Sequence, residues 1–389
     1  ASDTIITDDD VLYFENLKIV SVALSVQDAE RIAKQKGVLF VEENFEAYML
    51  QNKSPDFKSG YKQAHLDIFG ALLDNYSNQN FTKSNNEEEQ IKDTISGLVF
   101  PWNMNMINAS SAWNRNINGK GVNVAVLDTG IAIHQNLAIA GGVSMVAGVK
   151  SYNDGNGHGT HCAGIIAGLG AVYNGVSMFG VAPACNLYAV KVLADNGEGE
   201  LEWIVAGMEW CIQNKMKVVS MSLGSLTDPS KTYSEMVRKC QNKGLSVIVA
   251  AGNSYEKAFK WVNAPANSII DEVETNARPL AIGSVDVNKI IARDSSRGGK
   301  QGVLWNQVSV SAPGVSILST ALNDKYKEDS GTSMACPHVS GLVALLYQKY
   351  PTYTPDQIKS IIMNNCLPNT NPNPEAYGNG IIDCDKATK

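Results

Sequence analysis

The chain has 389 residues, of which 44% are apolar, 18% charged and 7% aromatic, with a formal net charge of −7. That apolar content supports a sizeable core and excludes a wholly disordered chain, which lacks the side chains to offset its ordering entropy. No apolar run approaches the roughly 18 residues of a membrane-spanning helix, no fixed period marks a repeat array, and the acidic balance argues against a broad nucleic-acid-binding face.

In chain order, the acidic opening ASDTIITDDD lacks the basic and apolar regions of a signal peptide. Residues 17–24 read as a strand, 26–37 as a helix stopped by Gly37, and 38–44 as a second strand. Residues 51–100 are polar, and the Asn-, Gln- and Glu-rich stretch 75–90 reads as a solvated linker after a short docking helix at 69–76. From about residue 101, apolar strands at 122–128, 186–193, 217–223, 245–252, 279–285 and 308–314 alternate with helices at 161–169, 203–215, 233–244 and 334–350. Pro337 falls early in the last of these, where a missing N–H is expected to cost little. The alternation predicts an α/β fold, a doubly wound and mostly parallel sheet flanked by helices, preceded by a small α+β unit.

Chemistry concentrates at strand ends and helix starts. VAVLDTG ends a buried strand in Asp128, DGNGHGTHCAG places His158 at a helix start among glycines, and DSGTSMACPH places Ser333 at the start of the long helix. A serine hydroxyl needs an adjacent imidazole to take its proton, and the imidazole needs a buried carboxylate to hold its tautomer. The free N–H groups of a helix start suit a developing oxyanion. Taken singly, each residue has a plainer reading as a turn, packed or cap residue. His161 and His338 read as packed histidines, and the absence of H-E-x-x-H argues against metalloprotease chemistry. The seven cysteines are odd in number, so at least one is free or pairs between chains, and whether Cys366 pairs with Cys384 is left open. Cys162 reads as a small core residue, and Cys336, three residues beyond Ser333, is not expected to be the nucleophile because the serine occupies the helix start.

Together, VAVLDTG, HGTHCAGIIAG and GTSMACPHVSG resemble the three signature segments of the subtilisin-like serine proteases, in that family's order. The resemblance covers residues 101–389 and, more weakly, 15–50. It implies peptide-bond hydrolysis through an acyl-enzyme, with Asp128 orienting the imidazole, His158 as base then acid, and Ser333 as nucleophile. AAGN at 250–253 resembles the oxyanion segment and makes Asn253 a donor. GEG (Gly197, Glu198, Gly199) and SLG (Ser222, Leu223, Gly224) resemble the two strands lining the substrate cleft, with Glu198 aimed at the substrate. NAPAN at 263–267 resembles the floor of the pocket, followed by a longer insertion.

Residues 1–50 resemble part of the family's inhibitory propeptide, with FEAYML as the tail in the cleft and self-cleavage between Leu50 and Gln51. Ala47 and Leu50 are then the side chains seated there, 51–100 is a linker or belt, and 101–389 is the catalytic domain. The resemblance implies no cofactor for the chemistry. A structural Ca²⁺ in the loop at 168–180 is an expectation with no ligands assigned beyond Asn174 as a possible oxygen donor. Protein or peptide substrates and the chain's own propeptide are the expected partners. Secretion, or residence in a secretory or vesicular compartment, is the expected location, with the targeting segment not present in this chain. Four N-x-[S/T] sites, at Asn52, Asn75, Asn80 and Asn108, agree with that location. A non-catalytic binding protein and an acyl-enzyme peptide ligase are the alternatives on the same fold. Labelling by a serine-directed fluorophosphonate separates the first, and product mass the second.

Overall fold

The structure, a computed structural model, describes residues 11–15, 17–35, 37–50, 98–257, 260–268, 278–299, 307–367 and 373–389. A hairpin of β1 (Val11–Phe14) and β2 (Ile19–Val22) precedes α1 (Val26–Ala33) and the strand β3 (Glu46–Met49). Two short helices, α2 (Trp102–Met106) and α3 (Ala109–Trp113), lead into β4 (Asn123–Asp128) and β5 (Ile139–Ser144). Helix α4 (His158–Ala167) is followed by the hairpin β6 (Leu169–Tyr173) and β7 (Val176–Phe179), then β8 (Asn186–Lys191), β9 (Glu198–Glu200) and α5 (Leu201–Gln213). The chain continues through β10 (Val218–Met221), β11 (Leu223–Gly224), α6 (Lys231–Asn242), β12 (Ser246–Ala250), β13 (Leu280–Val285) and β14 (Val310–Pro313). It ends with the hairpin β15 (Ile317–Ala321) and β16 (Lys325–Asp329), then α7 (Thr332–Lys349), α8 (Pro355–Asn364), α9 (Pro374–Tyr377) and α10 (Cys384–Ala387).

Seven strands form one parallel sheet in the order β14-β13-β12-β10-β4-β8-β5. Their side chains alternate between two apolar clusters, as the two-residue period of a strand dictates. On β4, Val124 and Val126 join the cluster that includes α4 and α7, while Ala125 and Leu127 join the one that includes α5 and α6. With both faces covered, the strands need no polar alternation, which is why they read as continuous apolar runs. Helix α7 is buried from Thr332 to Tyr347. Gly341 is what lets it pack, since a Cβ there would lie 2.5 Å from the Cβ of Val181.

The fold class agrees with the sequence expectation, and several local readings need correction. Residues 38–45 join no ladder, and the strand falls instead on Glu46–Met49. The apolar run VLF suggested a strand, but Leu39 is 82% exposed, whereas Glu46–Met49 meets free edges of β9 and β11. The strands β1 and β5 and the hairpins β6–β7 and β15–β16 were not anticipated. Pro337 is not in the first turn of α7 but is its sixth residue. Its N–H would have bonded the Ser333 carbonyl, which instead accepts from Ser222 Oγ at 2.9 Å and Cys162 Sγ at 3.4 Å. The expected linker and docking helix, with Gln51, Asn52, Asn75 and Asn80, lie outside the described residues. Among the described residues no helix is long and apolar enough to cross a membrane.

Two histidines pack in this core. His161 holds the Lys327 carbonyl at 3.0 Å, and His338 lies between the Met334 carbonyl and the Asn103 amide, each at 2.8 Å. Burial pushes both down from 6.5 to about 4. Each is therefore neutral when folded and takes up a proton more readily when unfolded. The stability this represents is complete above pH 6.5 and is lost as pH falls from 6.5 to 4, by roughly 3 kcal/mol per histidine. Denaturant unfolding as a function of pH is expected to show this loss, and a His338→Gln protein to lose less over the same interval.

Candidate active site

Asp128 closes β4, and its Oδ1 lies 2.7 Å from Nδ1 of His158, the first residue of α4. Both side chains are fully buried. The same oxygen accepts the Thr129 N–H at 2.7 Å, which fixes the carboxylate plane. Burial is the largest influence on His158 and pushes its pKa down. The charge and hydrogen bond of Asp128, with the more distant charges of Asp329 and Asp154, outweigh it and hold the imidazole above 6.5. Nε2 of His158 is buried without a hydrogen-bond partner, so the face opposite Asp128 is left for another proton donor.

The helix start itself is anchored by Asp154. Its Oδ1 accepts from the N–H groups of Asn156 and Gly157 and from Thr129 Oγ1, and its Oδ2 from the N–H and hydroxyl of Thr160, all within 2.6–2.9 Å. This buried carboxylate supplies the acceptors that free helical N–H groups require and faces the positive end of the helix dipole. Lys191, buried on β8, donates to the Thr129 carbonyl at 2.5 Å and to Asp195 at 2.7 Å, and Asp195 also accepts the Gly155 N–H. Sequence reading singled out neither Asp154 nor Lys191. The first had a signal, an acidic residue four positions before His158 at a helix start. The second had none, because a lysine in an apolar strand declares no partner.

Ser333 is the second residue of α7, and its Oγ donates to the Ser222 carbonyl at 3.0 Å. The structure therefore brings Asp128 and His158 into contact but does not join Ser333 to His158 by a hydrogen bond. Asn253 lies beside the start of α7. Its Oδ1 accepts both the N–H and the hydroxyl of Thr332 at 2.9 Å, which leaves its Nδ2 to face outward, where it donates to the Leu50 carbonyl at 2.9 Å. Thr332, unmarked in the sequence reading, thus orients the amide.

The tail residues occupy the adjoining cleft. Strand β3 runs antiparallel between β9 and β11, pairing Ala47 with Gly199, Tyr48 with Glu198 and Gly224, and Met49 with Leu223. Met49 N–H donates to the Gly197 carbonyl and Leu50 N–H to the Ser222 carbonyl, each at 3.1 Å. Ala47 and Leu50 are buried, while Glu46 and Tyr48 are exposed, as for an extended chain laid in a groove. Gly224 leaves the space that Leu50 fills, since a Cβ there would meet Leu50 Cδ1 at 3.1 Å. The Glu198 carboxylate is held at 2.6 Å by the Asn196 amide of its own turn.

The seven cysteines are all unpaired, and six are buried. Cys162 Sγ lies within 4.8 Å of the ligand atoms of Asp128 and His158, the one metal-capable group of three among the described residues. Its sulfur and nitrogen donors do not suit calcium, which takes oxygen ligands. The segment expected to hold calcium forms the hairpin β6–β7, with Asn174 in its turn. Asn108 uses its side-chain amide to hold Asp383 at 3.1 Å.

A buried acid–imidazole pair, a serine at a helix start and an amide donor on a carbonyl are the parts of a serine hydrolase. The family model for the subtilase family matches residues 119–380. The chain is 42% identical over 302 residues to the thermostable alkaline protease of Halalkalibacterium halodurans, covering 78% of this chain and 77% of that one. It is 39% identical over 304 residues to the M-protease of Shouchella clausii, covering 78% and 73%, and 40% identical over 291 residues to subtilisin BL of Lederbergia lenta, covering 74% and 98%. The chain belongs to the subtilase family and is a subtilisin-like serine endopeptidase acting on protein substrates.

Gly331 tests the geometry of the amide donor. Its φ is +145°, and a Cβ would lie 2.7 Å from Asn253 Nδ2 and 2.9 Å from the Leu50 carbonyl. A Gly331→Ala protein is expected to lose at least about tenfold in kcat with KM changed less, as steady-state peptide hydrolysis would show, because the added methyl separates the donor from the oxygen it serves.

Proposed function

We propose that Ser333 attacks the peptide carbonyl, His158 takes the serine proton and returns it to the leaving amine, and Asp128 holds the imidazole in the tautomer that leaves Nε2 free. Asn253 Nδ2 and the Ser333 N–H stabilise the oxyanion, and an acyl-enzyme on Ser333 is then hydrolysed by water. The chain is made as a zymogen: residues 1–50 fill the cleft as an inhibitor, and the bond after Leu50 is the first one cut. Residues 51–100 act as the linker released or displaced by that cut, and 101–389 as the catalytic unit. Work outside the cell or in a secretory compartment fits an enzyme held inactive until processing.

The observation that carries this reading is the Leu50 carbonyl, which accepts from the Asn253 amide at 2.9 Å while β3 fills both edges of the cleft. A carbonyl in that position is where a scissile bond belongs. Further contacts hold the front segment in place. Glu42 accepts from Ser230 Oγ and from the N–H groups of Lys231 and Thr232, capping α6. The buried Leu17 donates its N–H to Glu209 at 3.1 Å.

Intact mass and N-terminal sequencing of the purified chain, beside a Ser333→Ala control, test the proposal. A new N-terminus at Gln51 in the parent alone is expected. An uncut parent that also ignores peptide substrates would overturn it. Loss of the nucleophile is expected to cost about 10⁶ in kcat and Asn253→Leu about 10²–10³, the costs known from the corresponding residues of a subtilisin.

The base works only when neutral, and its pKa is raised. Activity should therefore fall as pH drops through a midpoint above 6.5. Because Asp128 is what raises it, the residual activity of Asp128→Asn should show a lower midpoint in its pH–rate profile.

A further inference from the structure

At the end of the sheet opposite Asp128, where β13 and β14 begin, the structure contains a cavity of about 330 Å³, within the usual range for small-ligand pockets. It is lined by Arg278, Gln307, Ser309, Asp356, Lys359 and Asn379, among others. Two cations and one carboxylate thus share one recess.

The cations are poorly matched within the chain. Arg278 Nε is buried without a hydrogen-bond partner, and its Nη1 makes only a long contact, 3.4 Å, with Gln307. Lys359 donates to the Arg278 carbonyl at 3.1 Å. Among the described residues, neither cation has a carboxylate within ion-pair distance. Burial and, less strongly, the Arg278 charge oppose protonation of Lys359, while the Asp356 charge favours it. Two half-buried like charges brought together, one with a donor unmet and with only the Asp356 carboxylate in the recess to offset them, are costly unless a further anion completes them. A guanidinium and an ammonium converging on one space match a tetrahedral dianion, which neutralises both and offers oxygens to donors on several sides.

We propose that this cavity binds a phosphate-class oxyanion, either inorganic phosphate or the phosphoryl group of a small ester, at a site separate from the peptidase cleft. Binding there ties the starts of β13 and β14 to α8 and stabilises the folded chain.

Lys359 gives the site a pH signature. Burial pushes this lysine down to about 8, Asp356 opposes that shift, and Arg278 adds to it. Asp356 is itself raised by burial, and Arg278 is lowered by the same cause. These are the titratable groups lining the cavity. Binding of the dianion is therefore strongest between about pH 7 and 8, where the ligand is doubly charged and Lys359 still protonated, and weakens as pH rises through 8, by up to about tenfold at pH 9. Arginine stays protonated throughout, so Lys359→Arg should retain its affinity at pH 9.

The test is calorimetric titration of the full chain, carrying Ser333→Ala to prevent self-digestion, with inorganic phosphate and with glycerol phosphate against chloride of matched ionic strength. One saturable site per chain, a phosphate-dependent rise in Tm, and at least a tenfold weakening in Arg278→Gln are expected. Tighter binding of the ester identifies an organic phosphate as the ligand, and equal binding identifies the inorganic ion. No saturable binding, equal affinity in Arg278→Gln, or equal binding of acetate would overturn the proposal. Arg278→Gln in the otherwise unaltered enzyme should retain peptidase activity, which shows that the variant folds.

Discussion

A carboxylate and an imidazole taken out of water must be held by other groups or they neutralise. Asp128 and His158 are fully buried 2.7 Å apart, and much of the surrounding architecture answers that demand. Asp128 ends the strand between β10 and β8, so its backbone is fixed by ladders on both sides. Thr129 donates to it from the backbone, Asp154 gathers the free N–H groups at the start of the histidine helix, and Lys191 holds the Thr129 carbonyl from beneath. The position of the pair therefore comes from a parallel sheet and a helix start meeting at one point, with loop geometry secondary to both.

The Ser222 carbonyl is shared by the site and the tail. It accepts the Ser333 hydroxyl at 3.0 Å and the Leu50 N–H at 3.1 Å. In the proposed reaction the serine proton must turn from this carbonyl toward His158 Nε2, which is unpartnered. With the tail in place, the hydroxyl is parked and the cleft edges are filled. If the tail is the inhibitor proposed above, inhibition and substrate recognition would use the same hydrogen bonds, on Gly197 and Ser222.

The parts of the fold that were legible in the sequence are those whose signal is local. NVAVLD and SVIVA are buried on both faces and had to be apolar throughout. Segments around Asp128, His158, Asn253 and Ser333 combine small residues with one reactive side chain, which marks close packing around chemistry. Residues 38–44 misled because an apolar run promises a strand only when an edge is free to receive it, and it is the next stretch, Glu46–Met49, that meets free edges. Glu42 reads as one more surface acid, yet it caps a helix about 190 positions away. Such a partnership depends on docking, to which no local pattern points. The hairpin β15–β16 was missed for a related reason: its carbonyls serve His134 and His161, so part of its role lies in contacts remote in sequence.

Pro337 shapes how the reactive serine is suspended. A helix normally clamps each of its carbonyls from one turn ahead, so a shift of the rod carries every peptide with it. Here the Ser333 carbonyl is released from that clamp and fastened sideways, to Ser222 beside the sheet and to Cys162 on the histidine helix. The peptide that bears the hydroxyl is thereby tied to the end of the sheet and to the histidine helix as well as to the helix that carries it. The distance between serine and imidazole is then set at the sheet end as well as by the rod of α7.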